Sequence, residues 1–552
     1  LNLKGDGALP ATRRTALIAA IGAATGLTLD LCPTDAMARS RSDKATPIKR
    51  KTGKEGQRAA DLGDGCFLNP ILSGDRPDPS ILKDGADYYA AFSTFVYYPG
   101  VVIWHSTDLV NWMPIGPAVT RPIGSIFAVD LAKHGDRYFI YIPVFVPPVD
   151  SAPSGPPFKI YVSHALSMHG PWSEPADMDI NGFIDPGHVV GEDGKRYLFL
   201  NGGFRVRISD DGLRRDGEPV KVYDGWPIPA DMIVEGFALE GPKLIRHDGW
   251  YYMFSGEGGT AGPPTSHMVV VARTRSINGP WENCPHNPIV HTAHRDEPWW
   301  SKGHATPIEG PMGDWWLLYH GYENGRRTLG RQMLLEPFEW DTQGWPRARG
   351  GDLVLPLRKP KPNGGAPSSF SLSDDFTTPA FGNRFVFYDP KPDYMDRVRL
   401  QNGALHLRGQ GTYPSDSSPL TFIAGDTSYN VEISIDLHTA DEAGLLLFYN
   451  DRIFCGVGLS TGKLHAYKVG QEQLFPPAGP ASARRLTIQA RNDDDVVTFS
   501  YTMDGSTWIK IGSFEVSGYN HNMGDGFLSL RPAIFATGKG EAVFENLQYR
   551  GG

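Results

Sequence analysis

A glycine-ended turn followed at once by an aromatic-rich apolar strand occurs five times along the first two-thirds of the chain. The copies are Asp84-Gly85-Ala86-Asp87-Tyr88-Tyr89, Gly135-Asp136-Arg137-Tyr138-Phe139, Asp193-Gly194-Lys195-Arg196-Tyr197-Leu198, Asp248-Gly249-Trp250-Tyr251-Tyr252 and Gly313-Asp314-Trp315-Trp316-Leu317. Successive glycines are 50, 59, 55 and 64 residues apart. Such a step holds four short strands with their turns, the content of one propeller blade. Asp-Gly is itself a strong hairpin signal, because the turn needs residues that tolerate positive φ. A second element recurs between the copies: Ser167-Met168-His169-Gly170-Pro171-Trp172 resembles Ser276-Ile277-Asn278-Gly279-Pro280-Trp281, with Ser106 to Trp112 a looser version. Its tryptophan is expected to pack between blades. One copy alone would be an ordinary hairpin; five in phase predict a five-bladed β-propeller.

The repeat stops near Arg358, where a Pro/Gly/Ser-rich stretch runs to Leu372. Alternating strands then return without it, at Tyr429 to Leu437, Gly444 to Tyr449, Val496 to Tyr501 and Gly526 to Leu530. This pattern predicts an antiparallel β-sandwich. With 552 residues, the chain is too long for one core, and its 64 Gly, 46 Pro and 62 aromatic residues favour short strands and tight turns over helices. The expected organisation is therefore an all-β chain: a linker at 39–65, a propeller at 66–357, a second linker at 358–372 and a sandwich at 373–552.

Residues 1–38 are set apart. Arg13-Arg14 precede an apolar run from Thr15 to Leu29, and Ala36-Met37-Ala38 offers a small-residue cleavage site. That is the pattern of a secretory signal of twin-arginine type, and it points to a bacterial periplasmic or extracellular protein without a membrane anchor. The other reading is an Ala-rich surface helix. Of four cysteines, Cys32 falls inside this segment, and Cys66, Cys284 and Cys455 are widely spaced without a metal-ligand pattern; no disulfide framework is expected. A net charge of −9 argues against nucleic acid or an anionic membrane as partner and is permissive for a neutral polymer.

Inner strands of a propeller converge on a central channel, so acids at their starts from different blades can meet at one mouth. Asp78 in Pro77-Asp78-Pro79-Ser80, Asp130 in Phe127-Ala128-Val129-Asp130 and Glu240 in Leu239-Glu240-Gly241-Pro242 precede their repeat glycines by 7, 5 and 9 residues. Cleavage of a glycosidic bond needs such a set: one carboxylic acid to protonate the leaving oxygen and one carboxylate to activate water or attack. Singly each acid is weak evidence, since an Asp between prolines commonly caps a turn. Glu235 is a rival to Glu240, which only the following Gly-Pro favours.

With Gly303-His304-Ala305-Thr306 added, these motifs resemble glycoside hydrolase family 43 from about Asn69 to Pro346. The tail from Ser373-Asp374-Asp375-Phe376 through Gly444-Leu445-Leu446 is similar to the concanavalin-like jelly-roll sandwich of its β-xylosidase-type members. The resemblance implies Asp78 as general base, Glu240 as general acid and Asp130 as the residue that tunes and orients the acid. It implies Arg331 as a contact to sugar hydroxyls, and His304 near an axial calcium, with no cofactor otherwise required. Trp299 and Trp300 would stack on a sugar or pack in the core. Asp185, in Ile184-Asp185-Pro186, is a further near-axis acid with a structural reading. The family often has Trp-Ala-Pro-Asp where this chain has Phe127-Ala128-Val129-Asp130, so Phe127 would give the sugar site a different wall. The expected activity is exo-acting, inverting removal of β-D-xylosyl or α-L-arabinofuranosyl residues from plant cell-wall oligosaccharides. The alternatives are a retaining fructosidase, which would want Asn-Asp-Pro-Asn where this chain has Pro77-Asp78-Pro79-Ser80, and a carbohydrate-binding propeller without turnover.

Overall fold

A computed structural model describes residues 50–146, 157–365, 370–378, 381–474, 479–480 and 483–552. The expected signal over 1–38 lies outside them. The structure is nearly all β: among the described residues the single α-helical turn is His521–Gly524. Five antiparallel sheets follow one another. Their inner strands are Ser80–Asp84, Asp130–His134, Gly187–Val190, Glu240–His247 and Trp299–Glu309, each paired with the next strand in sequence. All five repeat glycines have positive φ, from 61° to 81°. At the fourth turn Asp248 joins Gly249 in the left-handed region, as a two-residue type I′ hairpin requires. Trp281 sits edge-on to Phe199 at 5.7 Å, at the seam between blades three and four. The ring closes where Cys66–Phe67 pairs with Leu357–Arg358 and Leu72 bridges to Met333 of blade five.

The sandwich consists of a seven-stranded and an eight-stranded sheet. Ser428–Asp436 shows why: Tyr429, Val431, Ile433 and Ile435 are buried while the residues between them face outward, the period-two pattern of a strand with one wet face. The eighth strand of the larger sheet comes from the propeller. Tyr97–Tyr98 of blade one pairs with Val386–Tyr388, so one hydrogen-bonded sheet runs across both domains.

Two expectations are corrected. The end of the stretch expected as a linker, residues 50–65, is pinned in place: Arg58 pairs with Glu323 of blade five at 2.7 Å and donates to the Gly425 carbonyl of the sandwich at 2.8 Å. Glu55 accepts the Leu372 amide at 2.8 Å. Cys66 is disulfide-bonded, and Cys284 and Cys455 are free and buried.

Candidate active site

The inner strands of blades one and three begin at Ser80 and Gly187, and in both an Asp-Pro pair stands just ahead of the strand. Asp78 and Asp185 each have φ 56°, a left-handed backbone that costs a non-glycine residue energy and turns the side chain toward the axis. His304 of blade five (φ 58°) shares this conformation, as does Gly241 (φ 59°), the residue after Glu240. The result is one cavity of about 140 Å³ on the propeller axis, lined by Asp78, Asp185, Glu240, His304 and Arg331, with Phe127 on its wall. Phe527 of the sandwich also lines it.

Asp78 is buried, which alone would raise its carboxyl pKa. The Arg331 charge, ahead of His304, outweighs burial and holds it well below the usual carboxylate range. Arg331 donates Nη1–H to Asp78 Oδ1 at 2.8 Å, and Ser93 donates its hydroxyl to Oδ2. His320 Nδ1 lies 3.0 Å from the Asp78 amide, and its Nε2 3.3 Å from Thr260 Oγ1. A neutral imidazole protonated on Nε2 satisfies both contacts, and burial depresses His320 to about 4, which keeps it neutral. Asp78 is therefore an anionic carboxylate at working pH.

Glu240 is the opposite case. Burial, then the charges of Asp185 and Asp78, push its pKa well above the ordinary value. Its side chain nonetheless keeps 23% of its surface, against 8% for Asp78, so it remains reachable from the cavity. Asp185 accepts the Gly241 amide at 3.1 Å, next to Glu240 in sequence. Burial and Asp78 raise Asp185 as well, to about 7. One anionic and one protonated carboxyl group thus share a single sugar-sized hole.

Asp130 does not line the cavity. It is the first residue of its strand, whereas the cavity-facing position of blades one and three lies two residues earlier, and in blade two that position is Ala128. Asp130 instead forms a buried pair with Lys243 at 2.6 Å and accepts the His188 amide at 2.7 Å and the Ser80 hydroxyl at 3.3 Å. Lys243 completes its shell with the Val129 and Pro186 carbonyls at 3.1 and 3.2 Å. Together the two clamp blades one to four behind the cavity, and the acid facing Glu240 is Asp185. A sequence signal for this existed. Asp185-Pro186 repeats Asp78-Pro79, and Asp185 precedes Gly194 by nine residues, the spacing of Glu240 to Gly249.

Trp299 and Trp300 are also corrected as sugar platforms. Trp299 is 3% exposed within the propeller core, and Trp300 donates Nε1–H to the Arg295 carbonyl at 2.8 Å; neither lines the cavity. Phe127 does, edge-on to Phe95 at 5.4 Å. Glu235, the rival acid, spends Oε2 on the Ala261 and Gly262 amides at 2.9 Å each and lies outside the lining. Phe95 and Phe527 stack at 6.3 Å and flank the Arg331 guanidinium. Nothing in the local sequence around Phe527 marks it, because it reaches the site from the other domain.

Glu240, His267 and His304 bring one ligand atom each within 4.8 Å of one another, and both imidazole Nε2 atoms are buried without a partner. Two nitrogens and one carboxylate do not fit a calcium ion, which takes six to eight oxygens. Unpartnered and buried, Nε2 of His304 and Nε of Arg331 are instead suited to sugar hydroxyls.

Residues 67–346 match the family described as Glycosyl hydrolases family 43, and residues 373–550 match the β-xylosidase C-terminal concanavalin A-like domain. The chain is 30% identical over 420 residues to the non-reducing-end α-L-arabinofuranosidase BoGH43B of Bacteroides ovatus, covering 71% of this chain and 75% of that protein. It is 28% identical over 506 residues to a xylan 1,3-β-xylosidase of a Vibrio species, covering 80% and 90%. The solved GH43 BlXynB protein from Bacillus licheniformis superposes with a TM-score of 0.79 at 27% identity, over 88% of this chain and 100% of that one.

Proposed function

The chain belongs to glycosyl hydrolase family 43, and from that premise we propose that it removes single β-D-xylosyl or α-L-arabinofuranosyl residues from the ends of xylan-type oligosaccharides, with inversion at the anomeric carbon. Asp78 takes a proton from water, which attacks the anomeric carbon while Glu240 protonates the departing oxygen. Arg331 keeps Asp78 ionised and presents Nε–H to the sugar. Asp185 keeps Glu240 protonated until the bond breaks. Inversion requires carboxyl groups roughly 6.5–9.5 Å apart, so that water fits between base and sugar. The family assignment sets the fructosidase reading aside.

The observation that carries the exo reading is the size of the cavity. About 140 Å³ is roughly the space of five waters at about 30 Å³ each, the scale of one sugar ring. The sandwich side chain Phe527 contributes to that confinement. Export is supported by the twin-arginine pattern ahead of Ala38.

The test is hydrolysis of nitrophenyl β-xyloside and α-arabinofuranoside, with the first-formed anomer followed by NMR. Release of the inverted sugar from either substrate is expected. Activity on neither overturns the substrate class and favours a binding propeller; retained configuration overturns the mechanism.

A further inference from the structure

Behind the active site, where the propeller meets the sandwich, lies a second cavity of about 70 Å³. Its walls include Trp104, Phe370 and three arginines: Arg76 from the propeller, and Arg384 and Arg531 from the sandwich. Arg531 pairs with Asp75 at 3.1 Å, and Arg384 pairs with Asp374. Arg76 has no carboxylate of its own among the described residues. Its Nη1 donates to the Asp75 backbone carbonyl at 2.7 Å, its Nε is buried with no partner, and its guanidinium lies 4.9 Å from the Trp104 ring centroid. Asp75 and Asp78 are already engaged by Arg531 and Arg331.

Nε of Arg76 is a buried donor with no acceptor, and such a group is expected to find one. We propose that this cavity binds one small monovalent anion, a halide or short carboxylate, held by Arg76 between the two domains. Apolar walls of Trp104 and Phe370 favour a weakly hydrated ion. Burial and the neighbouring Arg531 push Arg76 down to about 9, which leaves it charged near neutral pH. Ser93, which also lines the cavity, donates its hydroxyl to Asp78, so the anion sits one side chain behind the candidate base.

The test uses the full chain in two ways. Crystals soaked in sodium bromide are expected to show an anomalous peak beside Arg76. Thermal unfolding in sodium chloride, bromide or acetate, against sodium gluconate at equal ionic strength, is expected to show a saturable rise in Tm that Arg76→Met abolishes. A response to halides without acetate narrows the class to halides. No bromide density at Arg76, or the same Tm response in Arg76→Met as in the parent, overturns the proposal. If Arg76→Met does not fold, the bromide density in the parent decides alone.

Discussion

Arg531 on the sandwich donates to Asp75 Oδ2 at 3.1 Å, and Oδ1 of the same carboxylate accepts the Arg331 amide at 3.3 Å. The arginine that grips Asp78 is therefore held at its backbone by an ion pair between the two domains. Gly330 makes the approach possible: at φ 74° it brings its chain so close that an added Cβ would lie 2.4 Å from Asp75 Oδ1. Removing one partner of a buried pair leaves the other charged and uncompensated, at a cost of about 3–5 kcal/mol. Arg531→Gln is expected to lower Tm and also to raise KM for nitrophenyl xyloside more than it lowers kcat. Unchanged KM in a folded Arg531→Gln protein would show that the sandwich does not position Arg331.

On xylobiose, Asp78→Asn and Glu240→Gln are each expected to lose on the order of 10²–10⁴-fold in kcat, the usual contribution of one acid–base group. The two separate by leaving group. Glu240→Gln spares nitrophenyl glycosides, whose leaving group needs little protonation, and cripples xylobiose hydrolysis. Asp78→Asn cripples both. Equal losses on both substrates in Glu240→Gln would remove it from the acid's role.

The exchange of roles between Asp130 and Asp185 has a direct readout. Asp185→Asn removes a negative charge beside Glu240, so the acid loses its proton at lower pH, and the alkaline limb of kcat/KM moves down. Asp130→Asn leaves that limb in place and lowers Tm, because Lys243 loses its counter-charge. A downward shift in Asp130→Asn with none in Asp185→Asn would restore the assignment read from sequence.

That misassignment shows what the sequence carried and what it lacked. Five glycine-ended turns were legible because a hairpin's positive φ leaves a mark at the residue itself, and all five glycines adopt it. Asp78, Glu240, Phe127 and His304 were found at the cavity because each sits in a motif at an inner strand, whereas Arg331, just ahead of the third strand of blade five, Gln332–Trp340, was found through the family resemblance alone. Whether Asp130 or Asp185 faces the axis depends on a register difference of two residues at the strand start, which spacing to the next turn does not resolve. Phe527 was beyond reach, since its distance from the site in sequence bears no relation to its place in space.

The pH profile of the native protein follows from the two opposed shifts. Activity needs Asp78 ionised and Glu240 protonated. Asp78's depressed pKa places the acid limb below the ordinary Asp range near 4, and Glu240's raised pKa sets the alkaline limb. For stability the signs are likewise opposed. Asp78 contributes above the unfolded carboxyl pKa and loses that contribution as pH falls through its folded value. Glu240 contributes below the unfolded value and loses it as pH rises. The expected kcat/KM curve is flat through mild acid and falls toward alkaline pH. A rising limb centred near pH 6 would contradict an ionised Asp78.

The strand Tyr97–Tyr98 that blade one lends to the larger sheet of the sandwich makes the chain poorly divisible. Cutting at the proline-rich stretch after Arg358 would strip that sheet of its outermost strand and bare a row of amide and carbonyl groups, an open template for self-association. Modular shuffling of this sandwich onto another catalytic ring would have to bring Tyr97 and Tyr98 along. In this architecture the unit of inheritance is the pair, not either half.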